Sequence, residues 1–126
     1  NKMSISPTFA TRFFQLITER RFAEAERMLE RLREKVEKTE WNEGYLQALN
    51  GMLLAKKTNN DRYVFLSNVD FGNRKELQKY QQEFLEHAEN RFHADYDRGF
   101  FSAWAEYTRV LLKIRPKGQL KLTEIK

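Results

Sequence analysis

Phe22-Ala23-Glu24-Ala25-Glu26-Arg27-Met28-Leu29-Glu30-Arg31-Leu32-Arg33-Glu34-Lys35-Val36 places Phe22, Ala25, Leu29, Leu32 and Val36 three and four residues apart. That spacing gathers them into one stripe of an α-helix and sends Arg27, Glu30, Arg31 and Glu34 to the other faces. A stripe of this kind has to be buried against another element. The pattern predicts a helix from Phe22 to about Lys38.

The same period continues on both sides. Upstream, Ser6 followed by Pro7 reads as a helix cap and first residue, opening a helix to about residue 19 with Phe9, Phe13, Leu16 and Ile17 on one stripe. Arg20 and Arg21 make the turn between the two. Downstream, Thr39 is placed to cap a third helix over about 40–57, carrying Trp41, Tyr45, Leu49, Met52 and Leu53. Thr58-Asn59-Asn60-Asp61 breaks it. Tyr63-Val64-Phe65-Leu66 suits a strand by propensity but has no second strand to pair with, so a short helix is expected there. Asn73 with Glu76 resembles a capping box for a fourth helix running to about Phe92, with Leu77, Tyr80, Phe84, Ala88 and Phe92 on one face. A fifth is expected over about 94–114, with Tyr96, Phe100, Ala103, Trp104, Tyr107, Leu111 and Ile114, and Pro116 and Gly118 stop it.

The expected fold is therefore all-α: a five-helix bundle of antiparallel helical hairpins. Residues 1–114 form a single helical domain and 115–126 a basic C-terminal tail.

Composition agrees. A third of the 126 residues are charged, with 5 Gly and 2 Pro, and the dominant Glu, Lys and Arg are good helix formers. The same profile is found in hyperthermophile proteins. A chain this long buries enough surface for a core without metal or disulfide staples. The absence of cysteine excludes disulfides and thiolate chemistry, fits a reducing compartment, and gives a cytoplasmic expectation. No apolar run reaches the ~20 residues of a membrane span, and no signal-peptide pattern is present, so no membrane partner is expected. The net charge of +5 is uneven, with about +4 of it in residues 110–126. The remainder mixes both signs, as solvated helix faces do.

One internal match stands out. Trp41-Asn42-Glu43-Gly44-Tyr45-Leu46-Gln47-Ala48-Leu49 and Tyr96-Asp97-Arg98-Gly99-Phe100-Phe101-Ser102-Ala103-Trp104 share a pattern at an offset of 55. Each reads aromatic, two polar, Gly, aromatic, apolar, polar, Ala, large apolar. Gly and Ala one turn apart inside a helix let a neighbouring helix approach closely. Both pairs are expected at close helix–helix contacts.

Phe13 to Lys35, and above all Arg20-Arg21-Phe22-Ala23-Glu24-Ala25-Glu26-Arg27-Met28-Leu29, resembles the turn and second helix of a tetratricopeptide (TPR) repeat. The resemblance covers about 30 residues and does not recur at that family's period of about 34. It implies helical hairpins stacked side by side and used to grip other proteins.

Catalytic chemistry finds little material. No phosphate loop, HExxH motif or nucleophile elbow occurs. His87 and His93, six apart, do not face one site on a continuous helix. Glu83 lies one turn before His87 and offers a second ligand on that face, but the sequence nominates no third. No metal, no cofactor and no enzymatic activity are expected. Glu40, Glu43, Asp95 and Asp97 flank the glycine motifs as first-turn acids favoured by the helix dipole.

Two binding roles remain. The first is a non-catalytic adaptor that binds another protein or itself, anchored by whichever of Trp41, Tyr45, Trp104 and Tyr107 are exposed, since aromatics dominate binding hot spots. The second is a nucleic-acid accessory whose Lys113, Arg115, Lys117 and Lys121 touch phosphates, joined by Arg109 and by Lys56-Lys57.

Overall fold

The computed structural model describes residues 5–58 and 74–113. Five helices account for 85% of them, with no strand among the described residues. They are α1 (Pro7–Thr18), α2 (Phe22–Lys35), α3 (Glu40–Thr58), α4 (Arg74–Glu89) and α5 (Asp95–Lys113). The expected segment at 63–66, Asn73 of the expected capping box, and the tail 115–126 lie outside the described residues.

Local chemistry sets the helix ends. The Ser6 hydroxyl accepts the Phe9 N–H at 3.1 Å and Pro7 occupies the first helical position, which satisfies one orphan donor and wastes none. At the far end of α1, Arg20 N–H donates to Ile17 and Arg21 N–H to Leu16. This double bond pattern needs a left-handed residue, and Arg20 supplies it with φ 63°. The three-residue turn then feeds α2.

α2 ends at Lys35, one turn short of the expected Lys38. Val36 leaves the helix in an extended conformation and buries its side chain in the core. The turn that follows is locked from α3: Thr39 Oγ1 accepts the Asn42 N–H at 3.1 Å, and Asn42 Nδ2 donates to the Glu37 carbonyl at 2.8 Å. Asn42 is thus a buried polar side chain with its donor satisfied.

α4 also ends early, at Glu89 rather than near Phe92. The Asn90 side chain accepts the Phe92 N–H at 2.9 Å and its carbonyl accepts the His93 N–H at 3.1 Å. The chain reverses there, and Phe92 projects into solvent, 98% exposed. Its expected place on the apolar face of α4 is thereby corrected. α4 and α5 form an antiparallel hairpin tied at both ends, by Arg74 Nη1 donating to the Leu112 carbonyl and Arg98 Nε donating to the Ala88 carbonyl.

The centre of the molecule is the contact of α3 with α5. A Cβ added to Gly44 would fall far inside van der Waals contact distance of the Tyr96 carbonyl oxygen, and one added to Gly99 would do the same to the Trp41 carbonyl oxygen. The two halves of the internal match therefore face each other. Each glycine receives the backbone three residues before its counterpart, so the crossing is reciprocal, with approximate two-fold symmetry. Ala48 and Ala103 are fully buried in the same core. α1 packs against α2, α3 and α5, and α4 lies along α5.

Core filling is aromatic. Phe14 packs against Tyr107 with ring centroids 5.1 Å apart, and Tyr107 against Trp104 at 5.9 Å. The Tyr107 hydroxyl is buried, and among the described residues nothing stands in hydrogen-bonding geometry to it. Burial pushes this phenol up, opposed less strongly by the Thr18 side chain; the Thr18 hydroxyl itself donates to the Phe14 carbonyl at 2.8 Å. An unsatisfied buried hydroxyl costs about 1–3 kcal/mol. Tyr107→Phe keeps the ring and removes the polar atom, so chemical denaturation should show it as stable as the parent or about 1 kcal/mol more so. A loss beyond about 1 kcal/mol would mean that the hydroxyl has a partner.

Candidate functional site

Trp41 stands at the start of α3, half-buried, with its indole stacked on Tyr45 one turn later at 5.3 Å and 23°. Its backbone is fixed by the Gly99 contact, so the position of the ring follows from the central crossing. Beside it opens a cleft of about 380 Å³ where the beginning of α1 meets α3, α4 and α5. Ile5, Trp41 and Leu85 give its apolar walls, and Glu89, Arg98 and Glu106 its charged rim. Leu85 is among the exposed large hydrophobic residues of the molecule.

The rim is held in place. Glu106 accepts from Arg109 Nη2 at 2.8 Å and Nε at 3.3 Å. Arg98 is fixed by the Ala88 carbonyl at 3.0 Å. Tyr45 lines the cleft but its ring is buried. Burial first, and the Glu106 carboxylate second, push its phenol above the usual range. It stays neutral at physiological pH and serves as a wall rather than an acid.

Of the four aromatic anchors expected from the sequence, only Trp41 offers a surface. Tyr45 is buried beneath it, and Trp104 and Tyr107 are core, at 2% and 0% exposure. Trp104 packs against Phe84 at 5.9 Å, on the side of α5 that meets α4. The reason is positional. Residues 100, 103, 104, 107 and 111 form the apolar stripe of α5, and a stripe that packs on neighbouring helices leaves its aromatics inside.

The basic residues separate as well. Lys113 is exposed at the end of α5 and, with Arg12 and Arg109, lines a second groove of about 480 Å³ between α1 and α5. Arg115, Lys117 and Lys121 lie outside the described residues. Lys57 is not part of that groove, since it pairs with Glu26 of α2 at 2.6 Å.

The histidines overturn a sequence expectation. Because α4 stops at Glu89, His93 folds back on His87, and the Nδ1 of His87 and Nε2 of His93 lie 3.2 Å apart. Among the described residues no group of three His, Cys, Asp or Glu is placed to hold a metal ion, and no helix is long and apolar enough to cross a membrane. Leu85 and the histidine pair are the surface features that sequence reasoning missed. Asn90, a helix-stopping residue, was the available signal for the second.

No protein-family profile matches this chain, and no curated protein or solved structure matches it.

Proposed function

We propose that the domain is a non-catalytic interaction module that holds a partner polypeptide in the cleft beside Trp41. The observation that carries this reading is the setting of that indole: partly buried at the mouth of the cleft, stacked on Tyr45, next to apolar Ile5 and Leu85, and rimmed by charges of both signs. An aromatic anchor inside a polar rim is the usual anatomy of a protein–protein hot spot. The resemblance of residues 13–35 to a TPR hairpin supports the same use, and the partner is another protein or a second copy of this chain. The cysteine-free composition favours a cytoplasmic setting.

A second reading, an accessory to nucleic acid, is favoured by the convergence of Arg12, Arg109 and Lys113 on the α1–α5 groove and by the basic residues that follow Lys113 in the sequence. Phosphates would be its ligands.

Affinity capture from the native source, with and without nuclease, separates the two. The adaptor reading expects proteins retained by the parent chain, unaffected by nuclease, and lost with Trp41→Ala. Recovery that vanishes on nuclease treatment and ignores Trp41→Ala would replace it with the second reading.

A further inference from the structure

We propose that His87 and His93 form a two-histidine site for a borderline divalent transition-metal ion, zinc or copper(II), at the turn between α4 and α5.

The placement of both rings is built into the turn. His87 sits in the last turn of α4, and the Asn90 carbonyl holds the His93 N–H at 3.1 Å. Both imidazoles lie against Phe101 of α5, His87 stacked at 4.6 Å and 27°, His93 at 6.5 Å. The two nitrogens are thus held close together before any ion arrives, which lowers part of the ordering cost of binding. Two nitrogens each about 2.0–2.1 Å from one tetrahedral ion are about 3.3 Å apart. The observed 3.2 Å matches that separation.

Without a metal, one ring nitrogen donates its proton to the other, and in an ideal bond of this kind the two nitrogen axes lie along the line between them. To meet at a common ion each ring tilts by about 35°, half the supplement of the tetrahedral angle. His87 is exposed and His93 half-buried at the surface, so the tilt has room on the solvent side and costs part of the stacking on Phe101. The ring that carries the shared proton moves it to its other nitrogen, leaving Nε2–H on His87 and Nδ1–H on His93. Both rings bind the ion as neutral imidazoles, so protons compete with the metal as the solution is made more acidic.

Neutral imidazole selects zinc, copper and nickel over calcium or magnesium. With no third protein ligand among the described residues, the remaining positions go to water. The ion is therefore reachable by an incoming donor, unlike a closed four-ligand structural site.

The test is a calorimetric titration of the chelator-treated full chain with zinc at pH 7.5 and at pH 5.5. One saturable site per chain is expected, weakened at least about tenfold by His87→Ala, by His93→Ala and by the lower pH. Phe92→Ala, on the same turn, should leave it unchanged. Because both histidines are at the surface, melting temperatures in chelator should not move, and His87→Gln serves if the alanine variant folds poorly. Zinc should also shift the ring proton resonances of these two histidines. No saturable binding, or binding indifferent to both substitutions, would overturn the proposal.

Discussion

Gly44→Leu and Gly99→Leu should each destabilise the protein by about 3 kcal/mol, the upper end of the usual overpacking range. The obstacle in each case is backbone: the Tyr96 carbonyl over Gly44 and the Trp41 carbonyl over Gly99. A carbonyl cannot rotate aside as a side chain can, so α3 and α5 must move apart along their main contact. The melting temperature should fall by more than about 10 °C. The double variant should cost clearly less than the two single changes together, because one widening of the crossing relieves both clashes. If either substitution instead stabilised the protein by about 1 kcal/mol, as removing glycine from an exposed helix does, the reciprocal crossing would be wrong.

Trp104→Ala should cost about 3–5 kcal/mol, the range for deleting a fully buried large aromatic. The indole packs against Phe84 of α4 and Tyr107 of α5, and its removal leaves a cavity in a fully buried place. Trp41→Ala should cost less, about 1–2 kcal/mol, because that ring is only partly buried and its backbone contact with Gly99 survives the change. Equilibrium denaturation measures both. Equal costs would mean that Trp41 is a core residue too, and the cleft beside it would lose its anchor.

Much of the fold was legible because it rests on local patterns. The stripes at Phe13, Leu16 and Ile17, at Ala25, Leu29 and Leu32, and at Ala103, Trp104 and Tyr107 all lie in the core. Ser6 and Thr39 cap the helices they precede. The internal match at an offset of 55 also carried tertiary information, because Gly and Ala inside a helix are informative only if something packs there.

The candidate site was less legible. Tyr45, Trp104 and Tyr107 were singled out by residue type, although their places on apolar stripes already argued for burial. The ends of α2 and α4 depended on competition between continuing periodicity and capping bonds. Val36 and Asn90 won those contests, and with them came the extended Val36, the tight turn at Glu37–Thr39 and the return of His93 to His87. The cleft beside Trp41 is assembled from four separate segments, and no single stretch of sequence contains it.

The most direct test of the proposed function places a photo-activatable cross-linking side chain at Leu85 in one chain and at Leu54 in another. Both positions are exposed, but Leu85 lines the cleft whereas Leu54 lies about 20 Å along α3 from Trp41. After irradiation in nuclease-treated extract of the native source, position 85 should give a discrete polypeptide adduct that disappears when Trp41→Ala is added. Position 54 should give none. Adducts from 54 alone, or adducts from 85 that persist without the Trp41 indole, would contradict the assignment of this cleft as the binding surface.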